Sequence, residues 1–207
     1  MPHKLELFFS TSLRYYEQID GKTIDVTSEI PFEIPHNWSW VKLGFVAEVA
    51  RGGSPRPIEN YLTDSDDGIN WIKIGDVASG SKFITQTNEK IIPAGLSKTR
   101  FVHAGDFLLS NSMSFGRPYI LKISGCIHDG WLVLHPNQTV IVQDFLFYAL
   151  SSSIVYSLLA NLASGSTVKN LKSDSVKNLW FPIPPLTEQQ RIASAVEQYS
   201  AMLAQLE

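Results

Sequence analysis

Histidine and cysteine are the residues best suited to metal binding or nucleophilic catalysis, and their spacing in this chain forms neither kind of site. The 207-residue sequence has one cysteine, Cys126, which excludes an internal disulfide and a cysteine-based metal centre. The pair His128-Asp129 invites a catalytic interpretation, but neighbours on a strand point to opposite faces, so we expect a turn or a satisfied polar pair. The histidines show no metal-ligand spacing: His3, His36, His103, His128 and His135.

Motifs that bind nucleotides or form a nucleophile are also missing. The sequence contains no G-x-G-x-x-G, no P-loop and no G-x-S-x-G turn. It also lacks the Asn/Asp-Pro-Pro-aromatic tetrapeptide with which adenine methyltransferases hold a flipped base. We interpret Gly52-Gly53 as a flexible turn only, and Asp20-Gly21 as the tip of a hairpin. We therefore expect no catalytic apparatus in this chain.

Positive charge is the second chemical feature, and it is concentrated in the middle of the chain. The whole sequence has 17 Lys and Arg against 20 Asp and Glu, a net charge of −3. Residues 68–125 hold 7 basic against 3 acidic residues, whereas 1–67 hold 6 against 11 and 126–207 hold 4 against 6. Because electrostatic contacts with DNA are local, this basic island favours a nucleic-acid partner. Chance clustering on a solvated surface is the alternative that the counts leave open.

The basic side chains and the polar loops beside them are the candidates for DNA contact. Lys and Arg position such a domain on phosphates, and short polar side chains read base edges. For each candidate, a solvated surface position is the alternative. Trp71 and Trp131 are expected in the core and not as stacking platforms. The candidates are Arg51, Arg56, Lys73, Lys82, Lys98, Arg100, Asn111, Ser112, Arg117, Lys169 and Asn170.

Short strands and a few helices must position these side chains. Residues 144–163 change to a helical period with Asp144 as the N-cap, and further short helices are expected over 10–18 and within 165–179. Residues 31–40 are expected to be extended, and 50–61 to form a loop. The predicted strands are 70–77, 106–112, 118–123, 131–136 and 180–183, the last at a sheet edge because it contains a proline.

The end of the chain carries a helix with an apolar seam. Thr187 with Gln190 fits a capping box after Pro184-Pro185, so we expect the helix to begin there. The seam either pairs with a partner helix, which we favour, or packs on the chain's own core. The pattern is still running at the last residue without a C-cap signal, which favours a fragment of a longer chain. The seam residues follow coiled-coil spacing: Ile192, Val196, Tyr199, Leu203 and Leu206.

Five motifs occur in order: EIPHNWSWVKLGFVAEVARGGSP (33–55), WIKIGDV (71–77), AGDFLLSNSMSFG (104–116), LASGSTVKNLKSDSVKNL (162–179) and FPIPPLTEQQRIA (181–193). Together they resemble the specificity subunits of type I restriction–modification systems, from about Glu29 to the end. The PLTEQQRIA segment after a strand is the most specific of them. Most members of that family hold two recognition domains and this sequence holds one, so we expect either a half-size subunit that dimerises or a truncated fragment.

The resemblance implies a fold and a set of partners. It implies an α+β target recognition domain with a twisted mixed β-sheet and flanking helices, followed by a coiled-coil-type helix. The divisions are a lead-in at 1–30, the recognition domain at 31–186 and the start of a spacer helix at 187–207. Such a chain reads half of a bipartite target in double-stranded DNA and is not an enzyme by itself.

The resemblance also implies that methyltransferase subunits bind the scaffold and supply the S-adenosylmethionine chemistry, so this chain needs no cofactor of its own. A restriction or motor subunit is a further possible partner, and if the chain is a half-size subunit, its terminal helix pairs with that of a second copy in a homodimer. Because the sequence shows no signal peptide and no membrane-length apolar run, we expect a cytoplasmic protein. The competing class is a protein- or carbohydrate-binding module with an incidental basic patch.

Overall fold

The computed structural model describes residues 14–78, 80–112, 115–163 and 170–205, arranged as short strands and four helices. The helices are α1 Gln143–Ser151, α2 Ser153–Leu162, α3 Ser173–Lys177 and α4 Leu186–Leu203. The strands are β1 Tyr16–Ile19, β2 Lys22–Asp25, β3 Ser39–Lys42, β4 Ala47–Arg51, β5 Leu62–Thr63, β6 Ile69–Ile72, β7 Phe83–Ile84, β8 Glu89–Ile91, β9 Arg100–Val102, β10 Phe107–Ser110, β11 Pro118–Leu121, β12 Gly125–Ile127, β13 Trp131–Pro136 and β14 Trp180–Ile183.

Two five-stranded sheets form the body of the domain. One has the order β4-β13-β10-β11-β7 and the other the order β5-β8-β6-β12-β9. Each contains one parallel pair, β11 with β7 and β12 with β6, among antiparallel neighbours, so both sheets are mixed. The predicted α+β class with a mixed sheet is confirmed, although the strands divide between two sheets.

The first sheet lies between the helices and the second sheet, so it is buried on both faces. Along β10, Phe107 and Leu109 belong to the apolar cluster with the helices, whereas Leu108 belongs to the cluster with the second sheet. Along β13, Leu132 faces the helices and Trp131 faces the second sheet. This alternation follows from the two-residue period of a strand. Trp71 and Trp131 are buried, which confirms their predicted core position.

The N-terminal hairpin and the last strand complete the packing. Asp20 and Gly21 both have positive φ, 49° and 76°, at the tip between β1 and β2, which confirms the predicted turn. The helix predicted over 10–18 is wrong for Tyr16–Gln18, which lie in β1; residues 10–13 lie outside the described residues. Among the described residues, strand β14 pairs only with β3 in a two-stranded sheet, so Pro182 lies at an edge as predicted.

The long helix predicted over 144–163 is divided at Ser152. Ser152 is extended, and its side chain accepts a hydrogen bond from the Val155 N–H, so it caps α2. Asp144 was expected to be the N-cap of the first helix, but α1 is preceded by Val142 and Asp144 lies in the first turn. Among the described residues, no single helix is long and apolar enough to span a membrane. Helices α1 and α2 reach the length and composition only as a pair, which is bent by 73°.

The start of α4 differs from the predicted capping box. The helix begins at Leu186 after Pro185, and no side chain caps it, so Thr187 lies inside the first turn. The carbonyl of Pro185 accepts the N–H groups of Glu188 and Gln189 instead. Gln189 is completely buried. Its Oε1 accepts the Val142 N–H at 2.8 Å, and its Nε2 donates to the carbonyls of Val140 at 2.9 Å and Pro184 at 2.8 Å.

Candidate nucleic-acid interface

Three arginines from two distant parts of the sequence converge on the turn between β12 and β13. Arg51 ends β4 and pairs in register with Leu132 of β13, and Arg56 follows in the next loop. Arg100 begins β9, which pairs with β12. All three side chains are exposed. We call Arg51, Arg56 and Arg100 the arginine cluster.

Close backbone packing holds the loop after β4 against that turn. A Cβ atom on Gly52 would lie 2.3 Å from the His128 carbonyl oxygen, and one on Gly53 would lie 2.7 Å from the Lys98 carbonyl oxygen. The Gly53 N–H donates to the Ile127 carbonyl at 3.2 Å. Gly52-Gly53 is therefore a required close approach of two backbones, and its interpretation as only a flexible turn is wrong.

Asp129 lies at the centre of the arginine cluster. Its Oδ2 accepts from Arg56 Nη2 at 3.1 Å, and its Oδ1 accepts from Ser54 Oγ at 2.9 Å. Its main-chain carbonyl accepts from Arg51 Nε at 3.0 Å. Arg100 joins the group one step away, because its Nε donates to the Arg51 carbonyl at 3.1 Å.

Each arginine donates a hydrogen bond to the protein from one side-chain nitrogen, and its other nitrogens are available to a ligand. Arg51 and Arg100 use Nε, which leaves both terminal nitrogens of each without a partner among the described residues. Arg56 uses one terminal nitrogen, and its side chain is 78% exposed. A guanidinium held at one nitrogen keeps its planar fork available for a phosphate or a guanine edge.

Partial burial and the positive charges of this site both affect the pKa of His128. Burial lowers the pKa of His128 below its ordinary value; the Asp129 carboxylate opposes the shift, and the charges of Arg56, Lys73 and Arg51 add to it. Its Nδ1 accepts the Gly130 N–H at 2.9 Å, and its Nε2 lies 3.0 Å from Asp129 Oδ1. The neutral imidazole therefore carries its proton on Nε2 and donates it to Asp129. The expectation of a turn with a satisfied polar pair is confirmed, but the two side chains share one side.

The carboxylate of Asp129 stays ionised in these surroundings. Partial burial would raise its pKa, but three groups hold it below the ordinary value: Ser54 through its hydrogen bond, His128 through the charge that it carries in acid, and Arg56 through its hydrogen bond and charge. The segment before β9 is tied to the same turn, since Thr99 Oγ1 donates to the Ile127 carbonyl at 2.8 Å. The exposed Lys98 hydrogen bonds to the Tyr61 hydroxyl, and its Nζ lies 4.9 Å from the Tyr61 ring centroid.

Two of the lysines predicted to contact DNA form ion pairs with carboxylates of the protein. Lys82 is mostly buried and lies 2.8 Å from Asp144 and 2.9 Å from Glu197, so it connects α1 with α4. Burial opposes the shift, but these two carboxylates raise the pKa of Lys82 well above its ordinary value. Lys73 forms an ion pair with Glu89 at the border of the arginine cluster. The structure does not bring Lys82 into the cluster.

The polar candidates for base contact occupy mixed positions. Asn111 is completely buried, so its amide does not reach a base edge as predicted; its Nδ2 donates to the Asp129 carbonyl at 2.8 Å, and its Oδ1 has no partner among the described residues. Ser112 and Asn170 are half-buried. Arg117 is exposed and lines a separate cleft of about 400 Å³ with Tyr119 and Tyr156. Lys169 lies outside the described residues.

The predicted seam of α4 divides into two parts. Ile192 and Val196 are half-buried, and Ile192 packs against the core of the domain. Tyr199 and Leu203 are 68% and 65% exposed, with Met202 beside them at 60%. Leu206 lies outside the described residues. The first part therefore packs on its own domain, and only the second part presents an apolar surface.

Asp129 and Ser54 are the site residues that sequence reasoning missed. The available signals were the Asp129-Gly130 dipeptide, which is typical of a turn, and the serine within the Gly-Gly-Ser-Pro loop. Neither signal connects residues 75 positions apart. Among the described residues, no group of three or more His, Cys, Asp or Glu is placed to hold a metal ion.

The chain resembles known proteins in sequence and in fold. The family model described as type I restriction modification DNA specificity domain matches residues 35–207. The type I restriction enzyme MjaIX specificity subunit of Methanocaldococcus jannaschii is 26% identical over 174 residues, which are 83% of this chain and 40% of that protein. The EcoKI specificity subunit of Escherichia coli K12 is 27% identical over 186 residues, 84% of this chain and 38% of that protein.

Solved structures show the same fold. The HsdS subunit from Thermoanaerobacter tengcongensis superposes with a TM-score of 0.67 at 23% identity, and it is matched over 85% of this chain and 40% of that chain. A type I restriction-modification S subunit from M. genitalium superposes with a TM-score of 0.54 at 15% identity, over 84% of this chain and 42% of that chain. The chain thus spans about two fifths of the length of these relatives.

Proposed function

The chain belongs to the family of type I restriction modification DNA specificity domains, and we propose that it reads one half of a bipartite target in double-stranded DNA. The observation that carries this proposal is the arginine cluster, in which Arg51, Arg56 and Arg100 share one turn and keep free nitrogens. Such groups fit phosphates and the acceptor edge of guanine. The exposed Lys98 lies close to the loop after β4, since a Cβ atom on Gly53 would lie 2.7 Å from the Lys98 carbonyl oxygen.

The proposal assigns the catalytic steps to other subunits. The chain positions DNA, and methyltransferase subunits that dock on it supply the methyl-transfer chemistry with their own S-adenosylmethionine. A restriction or motor subunit is proposed as a further partner in the cytoplasm. Methyl transfer from S-adenosylmethionine to a duplex by the 207-residue chain alone would contradict this division.

We further propose that the exposed end of α4 pairs with a second helix, in a homodimer or in a longer chain. Tyr199, Met202 and Leu203 form an apolar surface that the chain's own domain leaves open. Antiparallel pairing of two such helices gives a two-fold arrangement with one domain at each end. The segments 31–186 and 187–207 are then the DNA-reading domain and the start of the pairing helix.

Duplex binding as a function of salt tests the DNA proposal. Replacing Lys98 and Arg100 with Ala should weaken binding to a labelled mixed-sequence duplex, because two phosphate contacts are lost. The slope of log affinity against log salt should flatten by about 2, since each contact contributes about 0.9. The matched control is Lys82→Ala, which removes a positive charge outside the arginine cluster and should leave affinity and slope unchanged.

Three results would change the interpretation. The same loss per charge removed, so that Lys82→Ala loses about half as much as the double variant, would mean that only total charge matters. An unchanged slope in the double variant would remove Lys98 and Arg100 from the contact surface. Absence of salt-dependent binding by the wild-type chain, even at low salt, would favour the competing protein- or carbohydrate-binding module.

A further inference from the structure

A carboxylate at the centre of a basic surface needs an explanation, because a free carboxylate repels phosphate. Asp129 has this position: its side chain is 30% exposed, and it has a basic or polar partner at each carboxylate oxygen. We propose that Asp129 is a positioning residue for DNA recognition, which holds Arg51, Arg56 and the 52–55 loop in the arrangement that meets the duplex. This inference rests on the proposed function.

The side chain of Asp129 is directed at the protein. Oδ1 accepts from Ser54 and lies against His128 Nε2, while Oδ2 accepts from Arg56. Three donors on two oxygens account for most of the hydrogen-bonding capacity of the carboxylate. Its negative charge is therefore matched within the site, and the surface potential that a duplex meets is set by the free guanidinium nitrogens.

The main chain of the same residue positions the remaining groups. The Asp129 carbonyl accepts from Arg51 Nε at 3.0 Å and from Asn111 Nδ2 at 2.8 Å. The Asp129 N–H donates to Ser54 Oγ at 3.3 Å, so the Ser54 hydroxyl is bound on both sides. One residue thus connects the end of β4, the loop that carries Arg56 and the end of β10.

Fixing these side chains before binding removes an entropic cost from association. A long arginine side chain loses rotamer freedom when an interface immobilises it, and this loss opposes binding. Contacts that restrict Arg51 and Arg56 in the free protein reduce this cost, and they fix the register of the forks relative to each other. The glycine approach to the His128 carbonyl gives the loop a rigid base.

The inference predicts the sign of a mutational effect. Simple electrostatics predicts tighter duplex binding for Asp129→Asn, since a negative charge is removed. Positioning predicts weaker binding, about three- to tenfold at constant salt, because the amide replaces one acceptor oxygen with a donor and so removes either the hydrogen bond from Arg56 or those from Ser54 and His128. The control is Glu59→Gln, an exposed neighbour in the same segment, which should bind the labelled mixed-sequence duplex as tightly as the wild-type chain or more tightly.

Ser54→Ala provides a second test without any change of charge. It removes the hydroxyl that joins the loop to Asp129, and we expect duplex binding to weaken several-fold. It also decides the matter if Asp129→Asn does not fold. In an Arg56→Ala background, Asp129→Asn should lose much of its effect, because positioning through Arg56 couples the two residues; a general structural defect would be additive.

The outcomes separate this inference from the proposed function. If the wild-type chain binds the duplex and Asp129→Asn binds it equally or more tightly, the positioning role is overturned and DNA recognition stays intact. The same holds if Asp129→Asn does not fold and Ser54→Ala binds as tightly as the wild-type chain. Additive effects of Asp129→Asn and Arg56→Ala overturn it in the same way. A wild-type chain without salt-dependent duplex binding overturns both. Weaker binding by Asp129→Asn and Ser54→Ala, with Glu59→Gln unaffected, supports the inference.

Discussion

The buried amide of Gln189 connects α4 to the domain, and its removal gives the most quantitative stability prediction. Replacing Gln189 with Leu keeps the volume but leaves the Val142 N–H and the Val140 and Pro184 carbonyls without their partner. A buried polar group left unsatisfied costs about 1–3 kcal/mol. Pro184 is buried, whereas Val140 and Val142 are half-buried and are partly reached by water.

With that discount, we expect Gln189→Leu to lower the free energy of unfolding by about 2–4 kcal/mol. In a chain of 207 residues each kcal/mol corresponds to about 2–4 °C, so Tm should fall by about 4–16 °C. The matched control is Gln190→Leu. It is the same substitution at the next, exposed position, where Leu and Gln have similar helix propensity, and Tm should stay close to that of the wild-type chain.

Thermal denaturation followed by circular dichroism measures the global effect, and hydrogen exchange at the Val142 amide measures the local one. If the two variants melt within about 1 °C of each other and the Val142 amide is equally protected in both, the argument from unsatisfied groups is refuted. Unchanged melting with rapid exchange at Val142 would instead mean that α4 detaches before the domain unfolds.

Two further predictions concern acidity and association. Because the pKa of His128 is lowered in the folded state, its contribution to stability is complete above about pH 6.5 and is lost as the pH falls, so Tm should drop on acidification. The drop should be smaller in His128→Gln and as large as in the wild-type chain in the control His135→Gln. Equal drops in all three proteins would exclude His128 as the source. If the chain pairs through α4 at micromolar concentration, the double variant Tyr199→Asp with Leu203→Asp should sediment as a folded monomer, whereas the control Ser200→Asp should still sediment as the paired form. Unfolding of the double variant would mean that this face packs on its own domain.

The elements that the sequence predicts best are those in which local pattern and tertiary packing agree. Strand 131–136 and strand 180–183 were predicted with their observed limits, because both are apolar, short and flanked by turn residues. The prediction for 70–77 was too long, since Ile72 ends the strand and Asp76 forms a turn by accepting the Lys73 N–H at 2.7 Å. A polar side chain a few residues beyond the strand can end the ladder by accepting a backbone hydrogen bond. Hydrophobic periodicity does not reveal such a hydrogen bond.

The helix predictions failed where serine or proline competes with a standard cap. Ser152 interrupts the helical pattern of 144–163 by capping a second helix. The Thr187 capping box is absent because the helix begins at Leu186 after Pro185, so Thr187 lies inside the first turn and is not the N-cap. Cap motifs identify the region of a helix start, and the backbone around it decides the residue.

The candidate site shows why charge counted along the chain is a weak guide to charge in space. Arg51 and Arg56 come from the most acidic third of the sequence, and Arg100 comes from the basic island. Antiparallel pairing of β4 with β13 and of β9 with β12 brings them to one turn. Lys82, also in the island, is meanwhile paired with Asp144 and Glu197.

A carboxylate then organises the site instead of opposing it. Segment counts treat Asp129 as one negative charge among many, yet its position at the turn lets its side chain and main chain hold two arginines and a serine at once. The number of free guanidinium nitrogens, not the net charge of a segment, sets how many phosphates such a surface can contact. The number of free guanidinium nitrogens depends on the register in which the strands pair, and a single sequence does not specify that register.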